Sequence, residues 1–312
     1  MDAIRTAELT KTDEQGKDWV SNLHLTIQEG GVCGLLGPEG SGKSTAIRLL
    51  GGLEQPTHGM CWIFGVSPWE NRREAHRLCG IFTNTAKLYG YLTGMQNLLF
   101  FGAAYGMDRQ QAERRAVDLL KELDIWDARD LRVNQYTPGM ERRLSLARAL
   151  IHTPRVLLLD EPAQGLDPVS SREIKDLVLR ISADEQVTVL IATQDLDYAQ
   201  KLCHSFLILE NGIQKADGNF MDLCARFGKT ESACIRLAEG SAVPKGFLRG
   251  EDGWFHRKIQ GESEMPSLLR NLISQGISIY EAHMDRPVLK DIYDACMETE
   301  GMGKSETVEG GE

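Results

Sequence analysis

Apolar residues recur along the chain in patterns that predict an α/β fold. The run "WVSNLHLTI", residues 19–27, places Trp19, Leu23 and Leu25 at alternating positions, which predicts a strand with one buried face. Continuous apolar runs, which are typical of parallel strands buried on both faces, lie at residues 31–36, 155–160 and 187–193. Helical patterns lie at residues 43–53, 95–124, 141–152 and 169–183. Strands that alternate with helices predict a parallel sheet with helical crossovers.

The same patterns divide the chain into domains. Residues 1–227 are predicted to form one α/β domain, with a mostly helical subdomain from about residue 85 to 152. Residues 228–297 carry the pattern of a strand, a helix, a strand and a helix, which predicts a small α+β domain. A domain of that size buries little apolar surface alone, so we expect it to dock on the first domain or on a second copy of itself. The polar, Gly-rich and acidic residues 298–312 are predicted to be disordered.

Composition narrows the functional classes. The 312 residues carry a formal net charge of −10, so no nucleic-acid partner is expected, because phosphate contacts need a basic surface. The seven cysteines include no CxxC pair, which favours reduced, buried thiols over disulfides or a zinc site. No stretch resembles a signal peptide or a membrane span. The chain is therefore predicted to be cytoplasmic, and any work at a membrane needs another chain that spans it.

A glycine-rich loop carries the first candidate chemistry. Residues 37–44, "GPEGSGKS", match the pattern G-x-x-x-x-G-K-[ST] between an apolar strand and a helix. The glycines let backbone N–H groups turn toward phosphate, Lys43 supplies charge for the β and γ phosphates, and the Ser44 hydroxyl is a ligand for Mg²⁺. The predicted nucleotide-binding residues here are Gly37, Pro38, Glu39, Gly40, Ser41, Gly42, Lys43, Ser44 and Thr45.

Two carboxylates at the end of a buried strand complete this predicted site. The run "VLLLDE" ends in Asp160 and Glu161. Asp160 is expected to hold Mg²⁺, and Glu161 to polarise the water that attacks the γ-phosphate. These residues together predict nucleotide hydrolysis as well as nucleotide binding.

Three segments in order resemble one family. "GPEGSGKST", "YTPGMERRLSLARAL" and "VLLLDEPAQGLDP" are similar to the motifs of ATP-binding-cassette (ABC) ATPases, and the similarity extends from about residue 4 to 225. The form of the second motif, and the segments "LYGYLTGMQNLLFFGAAYGM" and "RPVLKDIYDACM", resemble the stand-alone ATPases of ABC-2-type exporters. The resemblance implies the P-loop NTPase ABC ATPase fold with a helical signature subdomain, followed by a small C-terminal α+β unit.

The resemblance also implies partners. Such ATPases bind ATP and Mg²⁺, dimerise on ATP and drive integral membrane permease subunits, which dock on a groove of the helical subdomain. A homodimer is favoured over a heterodimer, and the chain is expected at the inner face of the cell membrane. Within residues 88–101, Tyr89 and Tyr91 are expected to be exposed if this groove is present.

The signature segment keeps most of the expected chemistry. Thr137 is implied to bond the γ-phosphate across the dimer, Gly139 allows close approach, and Pro138 removes one N–H donor. Asp167, in "GLDP", matches the loop through which the two subunits contact each other. The resemblance thus assigns Thr137, Gly139 and Asp167 to nucleotide binding from the second subunit.

Three positions depart from the family pattern. Asn84, one methylene shorter than the usual Gln, is the expected metal ligand, and a register slip would put Thr83 in its place. Gln194 stands where the family has His, and an amide carries no positive charge and shuttles no proton, so slow turnover is expected. The usual aromatic for adenine is missing, and Trp19 is expected in the core.

Two alternative functions follow from these features. One is a degenerate, weakly hydrolysing regulatory cassette paired with a more active subunit, which Asn84 and Gln194 favour and Glu161 opposes. The other is a non-transport ABC ATPase of DNA repair or translation, which the acidic charge and the absence of a second cassette disfavour.

Overall fold

The computed structural model describes residues 1–83, 87–184, 187–238, 241, 243–250 and 253–298. The chain divides into two units, Met1–Gly218 and Asn219–Glu312. The predicted domain boundary after residue 227 stays a prediction. Asn84 and, apart from Glu298, the predicted disordered tail lie outside the described residues.

The first unit alternates strands and helices. Its strands are β1 (Asp2–Thr12), β2 (Asp18–Leu23), β3 (Thr26–Gln28), β4 (Val32–Leu36), β5 (His58–Ile63), β6 (Cys79–Phe82), β7 (Val156–Asp160), β8 (Thr188–Thr193), β9 (Ser205–Glu210) and β10 (Ile213–Asn219). Its helices are α1 (Lys43–Leu50), α2 (Arg72–Leu78), α3 (Gly94–Ala104), α4 (Arg109–Glu122), α5 (Pro138–Leu150), α6 (Pro168–Asp184) and α7 (Leu196–Leu202). The predicted helical run 95–124 is thus two helices.

A parallel sheet forms the centre of this unit. The order β9-β4-β8-β7-β6 is parallel throughout. Every residue of β4, β7 and β8 is buried, as expected for parallel strands covered on both faces. In a parallel sheet the carboxyl ends of the strands meet at one edge, and the loops that follow β4, β7 and β8 therefore converge there.

The other side of the sheet is largely antiparallel. β1 pairs with β2, β3 and β5, and β10 joins β2 to the central strands. The strand β2 does not keep the alternation predicted for residues 19–27. Val20 and Leu23 are its buried residues, because Asn22 has a left-handed backbone (φ 51°) that changes which side the following residue faces.

The helical subdomain packs α3, α4 and α5 together. Thr93 and Gln96 form a capping box at the start of α3, which satisfies backbone N–H groups that the first turn leaves free. Tyr89 and Tyr91 are 49% and 86% exposed, as expected. Tyr89 packs edge-on to Phe100, with 4.8 Å between the ring centroids.

The second unit is an α+β sandwich of a sheet and helices. It contains α8 (Phe220–Arg226), β11 (Ser232–Leu237), β12 (Leu248–Arg249), β13 (Phe255–Lys258), α9 (Glu264–Ser274), β14 (Ile279–Asp285) and α10 (Leu289–Glu298). The sheet order is β12-β13-β11-β14, with antiparallel pairs. Ala233 and Ile235 of β11 pack with Leu268 and Leu272 of α9. The pattern of residues 228–297 predicted β13, α9, β14 and α10 but not β11, the central strand.

The cysteines agree with the expectation of reduced, buried thiols. All seven cysteines are free and buried. Among the described residues, no helix combines the length and the apolarity needed to cross a bilayer.

Candidate nucleotide-binding site

The glycine-rich loop lies between β4, which ends at Leu36, and α1, which begins at Lys43. Gly42 precedes the helix with a left-handed backbone (φ 101°). A Cβ atom at this position would lie 2.1 Å from the Trp19 carbonyl oxygen. Only glycine fits at position 42, because both the backbone angle and the close approach exclude a side chain. The loop thus delivers its backbone N–H groups and the start of α1 to the carboxyl edge of the sheet.

Lys43 is held at the loop by its own backbone. Its ammonium donates to the carbonyl oxygens of Gly37 and Pro38, both at 2.8 Å, and lies 4.0 Å from a carboxylate oxygen of Glu161. The side chain is 6% exposed. Burial lowers the pKa of Lys43, and the carboxylates of Glu161 and Asp160 oppose that shift. These contacts hold the Lys43 ammonium between the loop and Glu161.

Asp160 and Ser44 form the second contact of the site. Asp160 ends β7, and the Ser44 hydroxyl donates to its Oδ1 atom at 2.9 Å. Burial raises the pKa of Asp160, while the hydrogen bond from Ser44 lowers it. A carboxylate and a hydroxyl oxygen at this distance are the donor types that Mg²⁺ accepts beside phosphate. The two residues therefore fit a magnesium ion.

Glu161 occupies an uncommon backbone conformation. Its φ is 47°, a left-handed value that costs of order 1–3 kcal/mol for a residue with a side chain. The backbone N–H of Glu161 donates to the carbonyl oxygen of Ala192, in β8, at 3.0 Å. Burial raises the pKa of Glu161; the Lys43 charge and a hydrogen bond from the Thr193 side chain oppose this. A carboxylate with a raised pKa is a better acceptor of a proton from water.

A cavity of about 330 Å³ is lined by Lys43, Ser44 and Glu161 among other residues. Its walls include Lys11, Asp13, Trp19, Glu39, Gly40, Gly42, Lys43, Ser44, Thr45, Arg48, Glu54, Glu161, Gln164 and Gln194. Gln194 follows β8, is exposed and is part of the cavity wall. The cavity therefore brings together the predicted loop, the predicted base and the residue that replaces histidine.

Trp19 contradicts its predicted place in the core. It lines the cavity and is only partly buried, because the left-handed Asn22 breaks the alternation on which the prediction rested. The Trp19 indole N–H donates to Asp13 Oδ2 at 3.0 Å. The Lys17 ammonium lies 4.1 Å from the ring centroid. The only signal in the sequence was the proximity of Trp19 to the segment that lacks the usual aromatic.

The signature residues lie elsewhere on the first unit. Thr137 caps α5 and accepts the N–H of Met140 at 3.3 Å. Asp167 precedes α6 and accepts the N–H groups of Val169 and Ser170 at 3.0 and 3.1 Å. Within the described residues, the cavity wall does not include Thr137, Gly139 or Asp167. These residues begin two helices that approach each other, since a Cβ at Gly139 would lie 3.1 Å from Ser170 Oγ.

The structure does not place Asn84, the metal ligand expected after the strand that contains "GIF". Asn84 lies outside the described residues, and its role stays a prediction. The alternative residue, Thr83, is buried, with 5% of its surface exposed.

A glycine-rich loop that leads from β4 into a helix, with a carboxylate at the end of a second parallel strand of the same sheet, defines a P-loop nucleotide-binding protein. The sequence model of the family described as "ABC transporter" matches residues 20–164. A daunorubicin resistance ATP-binding protein of Streptomyces coeruleorubidus is 34% identical over 303 residues, 93% of this chain and 94% of that protein. A bacitracin transport ATP-binding protein of Bacillus licheniformis is 32% identical over 209 residues, 67% of each chain.

Solved structures agree with these sequence relatives. The dimeric, post-hydrolysis structure of the ATP-binding cassette MJ0796 bound to ADP and phosphate matches with a TM-score of 0.63 and 26% identity. The match covers 69% of this chain and 98% of that one. The chain belongs to the ABC transporter family of ATP-binding proteins. The predicted family and fold class are confirmed, and membership of this ATPase family supports ATP binding and hydrolysis.

Proposed function

We propose that this chain is the ATP-hydrolysing subunit of a multi-subunit exporter of the ABC-2 type. The observation that carries the proposal is the cluster around Lys43, in which Glu161 lies 4.0 Å from the ammonium. In the same cavity region, Ser44 is hydrogen-bonded to Asp160. The relatives named for daunorubicin resistance and bacitracin transport support an export role. The alternative of a degenerate, weakly hydrolysing cassette is opposed by Glu161, the residue expected to act as the base, which is present.

The phosphates of ATP bind at the loop. Backbone N–H groups of residues 39–45 and the start of α1 surround them, and Lys43 places its charge on the β and γ phosphates. Ser44 and Asp160 would hold Mg²⁺, with Asn84 as a further ligand, and the ion would neutralise phosphate charge. Burial of Lys43 and Asp160 makes these interactions stronger than they would be in water.

Hydrolysis uses Glu161 and Gln194. Glu161 accepts a proton from the water that attacks the γ-phosphorus, and its raised pKa favours this transfer. The Gln194 amide donates a hydrogen bond to the γ-phosphate but adds no charge. Turnover is therefore slower than with a histidine at this position.

The base of the nucleotide stacks on Trp19. Trp19 lines the cavity, and the Lys17 ammonium lies 4.1 Å from the centroid of its ring. Asp13 fixes the plane of the ring through the indole N–H. Trp19 thus replaces the aromatic that the preceding loop lacks.

A second subunit completes the site. Thr137, Gly139 and Asp167 do not line the cavity of their own chain, so they would reach nucleotide only from a partner. We expect a homodimer that closes on ATP and opens on hydrolysis. Permease subunits would dock at the exposed Tyr89 and Tyr91 and hold the chain at the inner face of the membrane.

The test is Mg-ATP hydrolysis by the purified chain beside its Glu161→Gln variant. We expect the variant to bind ATP in calorimetry as the parent does and to lose turnover by about 10²–10³-fold, the cost of removing one group that acts in the transition state. The isosteric amide keeps the size of the side chain. Equal turnover in both proteins, or binding without turnover in either, would overturn the hydrolytic role of this chain.

A further inference from the structure

The strand β14 ends the sheet of the second unit with an open edge. In the order β12-β13-β11-β14, its one strand neighbour among the residues that the structure describes is β11. Tyr280, Glu281, Ala282 and His283 are all exposed, and Tyr280 is 69% exposed. The strand is seven residues long and contains neither proline nor lysine, two of the residues that block pairing at a sheet edge.

The central residues of β14, from Glu281 to His283, are complementary to their own copies in one antiparallel register. An antiparallel pair of two copies with a two-fold axis through Ala282 places Glu281 opposite His283 of the second copy. The same pairing places Tyr280 opposite Met284 and, at the ends of the strand, Ile279 opposite Asp285. Residues directly opposite each other share a face of the sheet, so each pair meets side by side. Because the axis is two-fold, each pair occurs twice, once on either side of Ala282.

The neighbouring registers lack this complementarity. An axis through Glu281 sets this carboxylate opposite its own copy. An axis through His283 sets Glu281 opposite Asp285, again twice. Like charges directly opposite each other destabilise a strand pair. In all three registers, residues that lie opposite each other share a face of the sheet. Of the three, only the register centred on Ala282 places no like charges opposite each other.

The side chains of β14 are already ordered by their own unit. Arg236 of β11 pairs with Glu281. The ring of Trp254 packs edge-on to His283, with 4.6 Å between centroids. Both contacts lie on the face of the sheet opposite the Ala233–Ile235 core. Because these side chains are held in place, a second strand would order few additional groups on binding.

We propose that β14 pairs antiparallel with β14 of a second copy of this chain, centred on Ala282, and joins the two sheets into one. The pairing adds to the dimer of the proposed function a contact that needs no nucleotide. It therefore holds two copies together when the nucleotide site is open.

The first test is disulfide formation by an Ala282→Cys variant of the full chain, in EDTA and without nucleotide. At the axis the two Cβ atoms would be about 4.5–5.5 Å apart, close to the separation that a disulfide spans. We expect cross-linking under mild oxidation to be at least about tenfold faster than for Ser274→Cys, a matched thiol on the exposed end of α9. The native thiols are buried and give little background. Equal rates for the two variants would overturn the proposal.

The second test is a charge swap followed by sedimentation equilibrium under the same conditions. His283→Glu places a carboxylate opposite Glu281 of the second copy on both sides of the axis. We expect it to weaken dimerisation by about tenfold. Adding Glu281→His restores opposite partners and is expected to restore most of the association. An unchanged dimer in the single variant, or no recovery in the swapped one, would contradict the pairing. Glu161→Gln leaves this result unchanged, so the contact and the ATPase function fail separately.

Discussion

The two ends of the nucleotide cavity are built in different ways. At the phosphate end, Lys43 and Ser44 come from one loop and Asp160 and Glu161 from the end of one strand. At the base end, Trp19 comes from β2 and Asp13 from the turn that precedes it, while Lys11 belongs to β1. The phosphate end is built from short contiguous segments, so its residues can be predicted from the sequence. The base end depends on how strands pack against each other, so its residues cannot.

Inorganic tripolyphosphate separates the two ends, because it carries the phosphates without a base. The largest effect is expected from Lys43→Ala, which removes the central cation. We predict about 10²–10³-fold slower hydrolysis and weaker binding of both ATP and tripolyphosphate. Lys11→Met is the matched control, because Lys11 lines the same cavity at the base end. A similar loss in both variants would refute a specific role for Lys43.

The next largest effect is expected at the base end. Trp19→Ala removes a stacking surface worth about 1–3 kcal/mol, so the Kd for ATP should rise about 5- to 150-fold. Tripolyphosphate binding should not change. Trp19→Phe keeps a ring and loses only the hydrogen bond to Asp13, so most of the affinity should remain. Calorimetry with both ligands checks this, and equal weakening of the two would place Trp19 outside the base site.

A smaller gain is expected from Gln194→His. A cationic donor at the γ-phosphate restores part of a transition-state contact, which should raise turnover on the order of tenfold. Gln164→His adds the same side chain elsewhere in the cavity wall and should not raise turnover. If neither variant or both variants are faster, the family position of Gln194 is not the cause of slow hydrolysis.

The smallest effect concerns pH. Because burial raises the pKa of Glu161, activity should fall with decreasing pH at a higher pH than an ordinary glutamate would give. Thr193→Ala removes a hydrogen bond that lowers this pKa, so the acid limb of kcat/KM should move to still higher pH. A limb that stays in place in the Thr193→Ala profile would assign the titration to another group.

Prediction from sequence succeeded where chemistry and backbone were local. The buried runs of β4, β7 and β8 have one plausible structure because they are apolar throughout. The family followed from motifs of eight residues or more. Trp19 was misplaced because a single left-handed residue, Asn22, reverses an alternation that the letters alone continue. The central strand β11 was missed because "SACIRL" mixes small and charged residues and alternates only weakly.

The contact between Gly42 and the Trp19 carbonyl links the two ends of the cavity through the main chain. A Cβ atom at position 42 would lie 2.1 Å from that carbonyl oxygen, so β2 lies directly against the phosphate loop with no side chain between them. Any residue larger than glycine at this position would have to displace β2, and with it the main chain that carries Trp19. A single glycine thus sets how closely the main chains at the two ends of the cavity approach each other.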